Sequence, residues 1–164
     1  MARIATLEIH KDELGFCAGH FTIFSATERE RLHGHNYNVS LQIDLKVEQY
    51  GLSFDYRHYK EKVQALCKHI DSYFLLPAHS PHLHISDAGE YLIAEFNQKK
   101  IPFLKEDVLI LPVSNVTIEE LANWFLQNIT TNQDELDEHG IFGMTIKVFN
   151  GPGQSGGASW KRDA

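Results

Sequence analysis

The chain has 164 residues, 43% of them hydrophobic and 23% charged, with a formal net charge of -7. That length can bury a core, and the acidic balance argues against a nucleic-acid or anionic-membrane partner. Two cysteines, Cys17 and Cys67, are too few for a disulfide scaffold; no run approaches the roughly 18 apolar residues of a spanning helix, and the first residues lack a secretory pattern. The expectation is a cytoplasmic protein forming a single domain over residues 1–164.

Residues 3–10 alternate with a period of two and predict a strand. Residues 14–24, carrying His20, read as its continuation or partner, and 25–31 as a polar loop. From His35 onward, Tyr37, Val39, Leu41, Ile43 and Leu45 share one face of a regular strand. Gly51 ends that hairpin. Tyr59, Val63, Leu66, Cys67 and Ile70 then recur at helical spacing and predict an amphipathic helix over 56–73. Two prolines and three histidines (His79, His82, His84) make 75–86 a predicted loop, followed by short strands at 90–96 and 107–111 around a turn at Asn97-Gln98-Lys99. Thr117 at an N-cap position, with Glu120 three residues on, predicts a capping box that opens a second helix, with Leu121, Ala122, Trp124, Phe125 and Ile129 as its apolar stripe. A core strand over 140–150, a glycine-rich turn over 151–157 and a short strand through Trp160 close the chain. This order predicts an α+β fold with two helices on one face of an antiparallel sheet.

Histidine is the enriched residue type, at ten. His33 and His35 flank Gly34 where the most regular strand begins, so they point to one face, and His20 on a neighbouring strand supplies a third imidazole. Three imidazoles with a fourth position left open suit a catalytic zinc. His79, His82 and His84 read instead as solvated or packing side chains, because a loop gives ligands no rigid frame. Cys17, three residues from His20, should face away from it as a small buried hydrophobe, and Cys67 belongs to the helix core.

These residues also carry a resemblance. Phe16-Cys17-Ala18-Gly19-His20 and Leu32-His33-Gly34-His35-Asn36-Tyr37 are followed by Asp55-Tyr56, Ile70-Asp71, and Thr117-x-Glu119 with Leu121-Ala122 and Trp124. Together they resemble the 6-pyruvoyl-tetrahydropterin synthase and 6-carboxytetrahydropterin synthase family over most of the chain, apart from an insert at about 77–112. The resemblance implies the tunnelling fold (T-fold), whose subunits pair their sheets into a barrel, usually as homohexamers with sites at subunit interfaces. It implies zinc on His20, His33 and His35, and a dihydropterin substrate, typically 7,8-dihydroneopterin triphosphate. It also implies pterin contacts from Glu119 and Thr117, lyase chemistry by side-chain elimination or cleavage, and a place in queuosine or folate biosynthesis.

Three departures from the family pattern stand out. The usual catalytic cysteine is missing four to six residues before the His-Gly-His run, where Thr27, Glu28 and Arg29 stand. Glu30 instead gives Glu-x-x-His-Gly-His, which resembles a variant branch where glutamate replaces cysteine and the product is 6-hydroxymethyl-dihydropterin. Glu30 then reads either as the acid-base group or as one of four alternating charges on a solvated loop. The family's Asp-His pair becomes Asp71-Ser72. Asp71 could orient His69 or His79 as a catalytic partner, or be an ordinary helix-end carboxylate. Finally, residues 146–150 lack the glutamate that holds the pterin ring in this family. Two alternatives follow from these departures: a divergent zinc-binding oligomer without pterin chemistry, or an enzyme acting on another heterocycle.

Overall fold

The structure is a computed structural model that describes residues 3–48 and 50–162. Its centre is the long strand β3 (His33–Val47), whose Tyr37, Val39, Leu41, Ile43 and Leu45 are all buried, as the alternation predicts. Strands β1 (Arg3–Ile9) and β2 (Gly15–His20) run end to end along one edge of β3, both antiparallel to it, so the second segment is the continuation of the first. The other edge of β3 takes β9 (Ile141–Gly151), and β9 takes β10 (Gln154–Lys161).

The sheet is not wholly antiparallel. Helix α1 (Arg57–Ile70) returns the chain so that β4 (Tyr73–Pro77) lies parallel to β2, and β8 (Val108–Leu111) then lies parallel to β4. Parallel neighbours need such long crossovers, and only the assembled order reveals them. Helix α1 ends with the last residue of its apolar stripe, Ile70, short of the predicted bound at 73. Asp71 is extended and Ser72 is left-handed at φ 67°, so the chain enters β4 at Tyr73 instead of extending the helix.

The predicted loop over 75–86 is largely strand: its first residues finish β4, and its last lie in β5 (Leu83–Ala88). With β6 (Tyr91–Phe96) and β7 (Lys99–Leu104), β5 forms a separate three-stranded sheet inside the predicted insert. Asn97 and Gln98 both take positive φ, the geometry of a two-residue hairpin turn, and Pro102 is tolerated because β7 is an outer strand. A second apolar cluster of Phe21, Ile23, Leu76, Ala94, Phe96 and Val108 ties this small sheet to the main one.

Helix α2 (Ile118–Ile129) buries Leu121, Ala122, Trp124, Phe125 and Ile129. Thr117 caps it by accepting from the Glu120 N–H at 3.3 Å, but the box is not reciprocal. The Glu120 carboxylate accepts from Ser114 N–H at 3.0 Å and Ser114 Oγ–H at 2.9 Å, pinning the preceding loop instead. The glycine-rich turn is also shorter than predicted, since β10 begins at Gln154. Gly156 lies within that strand because α2 leaves no room for a side chain. A Cβ there would sit 2.6 Å from Glu119 N and 2.7 Å from Ile118 C. Gly156→Ala is therefore expected to push the start of α2 off β10 and destabilise the protein by about 1–3 kcal/mol. Chemical denaturation checks this, and an unchanged midpoint and slope would contradict it.

A short helix, α3 (Gln133–Glu138), was not anticipated by any period; Leu136 is its one buried side chain. It docks on α1 through Glu135, whose Oε1 accepts from Lys62 Nζ at 2.5 Å and lies 3.1 Å from His58 Nε2. Burial pushes the Glu135 carboxyl up, but the hydrogen bonds from Lys62 and His58 outweigh it and hold the group below its ordinary value. A depressed carboxyl stabilises the fold above the unfolded-state pKa, and that contribution disappears as pH falls through the lower folded value. Glu135→Gln should therefore lower stability at neutral pH and flatten its decline below about pH 4. Urea unfolding across that range measures it, and an unaltered acid slope would count against the assignment.

Candidate metal centre

The first segment of β3 and the last of β2 build the site. In their register His20 pairs directly with His33, and Ala18 pairs with His35. The small Ala18 side chain leaves the space above it to the imidazoles. Gly34 separates the two β3 histidines, and a Cβ on it would stand 2.9 Å from the Ala18 carbonyl oxygen, so the close approach of the strands requires glycine there.

The three rings gather with centroids 4.5 Å (His20–His33), 4.8 Å (His33–His35) and 5.2 Å (His20–His35) apart. One donor atom from each lies within 4.8 Å of the others, and no other such group of His, Cys, Asp or Glu occurs among the described residues. Buried Tyr37 lies beside His20 and His35, at 6.1 and 5.5 Å between centroids. Burial and the charge of Glu30 push its hydroxyl pKa up, so it stays protonated.

Main-chain carbonyls beside the rings decide which nitrogens face inward. His20 Nδ1 lies 2.8 Å from the Val116 carbonyl and His33 Nδ1 lies 2.7 Å from the Arg31 carbonyl. A carbonyl only accepts, so both Nδ1 atoms carry a proton, and it is Nε2 of each ring that has the lone pair to offer a metal when the imidazole is neutral. His20 Nε2 is buried without a hydrogen-bond partner, alone in this among the described side chains. Such an orphaned acceptor is costly unless something occupies its lone pair. Burial lowers the pKa of His20, as do neighbouring His33 and His35; His35 is lowered by burial and by His33. Neutral imidazole is the ligating form, so the donor set, tautomers and protonation fit a divalent cation such as zinc.

Glu30 stands beside this group, with Oε2 3.8 Å from His33 Nε2. Its main-chain N–H donates to Thr22 O at 2.9 Å, and the Thr22 N–H donates to Glu30 Oε2 at 2.9 Å. This bracket holds the carboxylate in place. Burial pushes Glu30 up, while the Thr22 hydrogen bonds and the nearby His33 and His20 pull it below its ordinary value, so it rests ionised. It is thus a half-exposed carboxylate, fixed by Thr22 at the rim of the histidine group. The guanidinium of the preceding residue, Arg29, donates to the Glu30 main-chain carbonyl at 2.6 Å and lies over the rings of Phe21 and Phe96, at 4.9 and 5.7 Å.

The remaining candidates are placed differently. Asp71 accepts from Cys17 N–H at 2.7 Å and from Ser72 Oγ–H at 3.1 Å, so its carboxylate clamps β2 to the start of β4 and is engaged by neither His69 nor His79. Cys17 faces away from His20, as expected, but it is exposed and not a buried hydrophobe; Cys67 is buried, and burial pushes its thiol up to about 12. Thr117 caps α2, and Glu119 is exposed in that helix's first turn, just beyond the Val116 carbonyl that holds His20. His82 and His84 line a separate cavity of about 420 Å³ with Glu95, Asn97 and Gln98. The main-chain contributions of Val116, Arg31 and Thr22 escaped the sequence reading, because a carbonyl or N–H carries no residue-type signal.

Residues 8–155 match the model of a family described as 6-pyruvoyl tetrahydropterin synthase. Two archaeal proteins provisionally named 6-carboxy-5,6,7,8-tetrahydropterin synthase are similar in sequence. The one from Pyrococcus horikoshii is 31% identical over 103 residues, which span 63% of this chain and 60% of that relative's length. The one from Methanocaldococcus jannaschii is 25% identical over 132 residues, 80% of each chain. Among solved structures, the 6-pyruvoyltetrahydropterin synthase of Plasmodium vivax, in a variant with a catalytic glutamate replaced by alanine, superposes with a TM-score of 0.91. It is 28% identical, over 97% of this chain and 99% of that one.

Proposed function

Because the chain belongs to the 6-pyruvoyl tetrahydropterin synthase family and has its α+β tunnelling fold, we propose that it is a zinc-dependent lyase acting on 7,8-dihydroneopterin triphosphate or a related dihydropterin. The observation that carries this reading is the ionised Glu30 carboxylate held 3.8 Å from His33 Nε2 at the edge of the His20, His33 and His35 group. That a glutamate is named as catalytic in the Plasmodium vivax enzyme supports giving Glu30 the corresponding part.

His20, His33 and His35 would hold the zinc, which when bound supplies Lewis-acid polarisation of side-chain oxygens on the substrate. Glu30, fixed by Thr22, takes a proton from the substrate's side chain: in elimination the leaving group departs with its bonding pair, and in cleavage the deprotonated hydroxyl becomes the carbonyl of the departing aldehyde while the proton returns to the carbon left on the pterin. Its lowered pKa keeps it in the proton-accepting form at neutral pH. Glu119 and Thr117, at the start of α2, are the proposed pterin contacts. Asp71 acts at most by holding β2, given its bonds to Cys17 and Ser72. We take the whole chain as one T-fold domain carrying the insert. Homohexamers would complete the sites at subunit interfaces, with the unpaired edges of the main sheet, on β10, β8 and β1, available for pairing. Among the described residues no helix is long and apolar enough to cross a membrane.

A second reading rests on one observation. Residues 146–150 of β9 offer no carboxylate to the paired N–H donors of a pterin, and Phe149 is instead stacked on His10 at 5.2 Å. This favours a zinc-binding member of the family that has lost pterin chemistry, or that acts on another heterocycle. Zinc-loaded protein incubated with 7,8-dihydroneopterin triphosphate separates the two readings. A 6-hydroxymethyl-dihydropterin product, identified by chromatography, supports the lyase. Neither turnover nor binding of any pterin at full zinc occupancy would sink it.

A further inference from the structure

The two halves of the site belong to distant parts of the chain. Glu30 sits on the turn that follows β2, whereas the carbonyl that fixes His20 belongs to Val116, at the entrance to α2. One side chain joins them. Asn115 Oδ1 accepts from Ile23 N–H at 3.1 Å and from Val116 N–H at 3.0 Å, and Asn115 Nδ2–H donates to Ile23 O at 2.8 Å. Two N–H groups on one amide atom and a carbonyl on the other fix the orientation of the amide without ambiguity. The side chain therefore imitates a strand partner for Ile23 where no strand runs.

The consequences extend in both directions. Ile23 is buried and bridges to Arg29, and its neighbour Thr22 brackets Glu30 through both the main chain and the carboxylate. On the other side, Val116 is itself buried, and its carbonyl takes the Nδ1 proton of His20 at 2.8 Å. A shift of residue 116 would turn the imidazole, and a shift of residue 23 would move the Glu30 bracket.

We propose that Asn115 is a positioning residue that sets His20 and Glu30 relative to each other, through Val116 on one side and Ile23 on the other. The part concerning Glu30 rests on the lyase reading above; the part concerning His20 does not. The Asn115 side chain bonds only main-chain atoms, those of Ile23 and Val116, and neither the histidines nor Glu30. It acts by holding two main-chain segments whose polar groups would otherwise lose their partners.

The test compares Asn115→Ala with Leu136→Ala, a variant of the buried α3 residue that lowers stability away from the histidines. Zinc affinity is measured by chelator competition, and ligand geometry by the visible spectrum of the cobalt-substituted protein. Asn115→Ala is expected to weaken zinc by about 10- to 100-fold and to shift the cobalt bands, whereas Leu136→Ala leaves both within about twofold of the parent. At saturating zinc, Asn115→Ala should also lower kcat on 7,8-dihydroneopterin triphosphate by about tenfold or more with little change in KM. Parent-like zinc affinity and cobalt spectrum in Asn115→Ala, or equal losses in Leu136→Ala, would overturn the positioning of His20. A full kcat at saturating zinc would overturn the positioning of Glu30. If the parent itself turns over no pterin while Asn115→Ala still weakens zinc, the lyase reading fails and the role at His20 stands.

Discussion

Glu30→Gln is expected to lower turnover of 7,8-dihydroneopterin triphosphate by about 10²–10⁴-fold while the protein keeps about one zinc per chain. Glutamine has nearly the same shape, and its carbonyl oxygen can still accept from the Thr22 N–H that Glu30 Oε2 accepts from at 2.9 Å, so the turn keeps its place. What disappears is the negative charge and with it the proton acceptor, which is the role proposed for the group. Product formation followed by chromatography, alongside metal analysis, reads both quantities. A variant with unimpaired turnover would remove Glu30 from the reaction, and one that loses zinc together with activity would move it into the metal shell.

His33→Ala carries the second large effect, a loss of bound zinc. This position isolates the metal better than His20, because the His33 side chain is 35% exposed whereas residue His20 is only 5% exposed. Truncating His20 would open a hole in the fold, while truncating His33 removes a ligand from its rim. Zinc content should fall from about one per chain to little after dialysis against a mild chelator. Stability gives an independent reading. A ligand present at a hundred times its dissociation constant stabilises the native state by about 2.7 kcal/mol, so chelation should lower Tm in the parent and hardly alter it in His33→Ala. Full zinc retention in His33→Ala would overturn the ligand set.

Much of the frame was legible because its signals are local. The alternation from Tyr37 to Leu45 marks a strand whoever its neighbours are, and β3 buries that face as predicted. The stripe and Thr117 cap of α2 are similarly self-contained. Of the small sheet, the strand over 90–96 and the turn at 97–99 were legible, whereas β5 and β7 were not, because they are short and carry His84 and Pro102, residues that read locally as loop. The Glu120 side chain illustrates the same limit. The motif specified its spacing but not its partner, and the nearby loop offered Ser114 with two donors in better position.

By itself the chain determined the composition of the candidate centre. His33 and His35 share a face through strand geometry, and His20 joins them because β2 pairs with β3 in a register that sets it opposite His33. Only tertiary structure decided which nitrogens face inward, since the Val116 and Arg31 carbonyls take the Nδ1 protons of His20 and His33. It also decided that Thr22 brackets the half-exposed Glu30 carboxylate and helps to hold it ionised, and that Asp71 serves Cys17 instead of a histidine. The physical reason is the same in each case. A side chain's face follows from local backbone geometry, whereas its protonation and hydrogen-bond partner depend on main-chain groups brought in from up to 96 positions away.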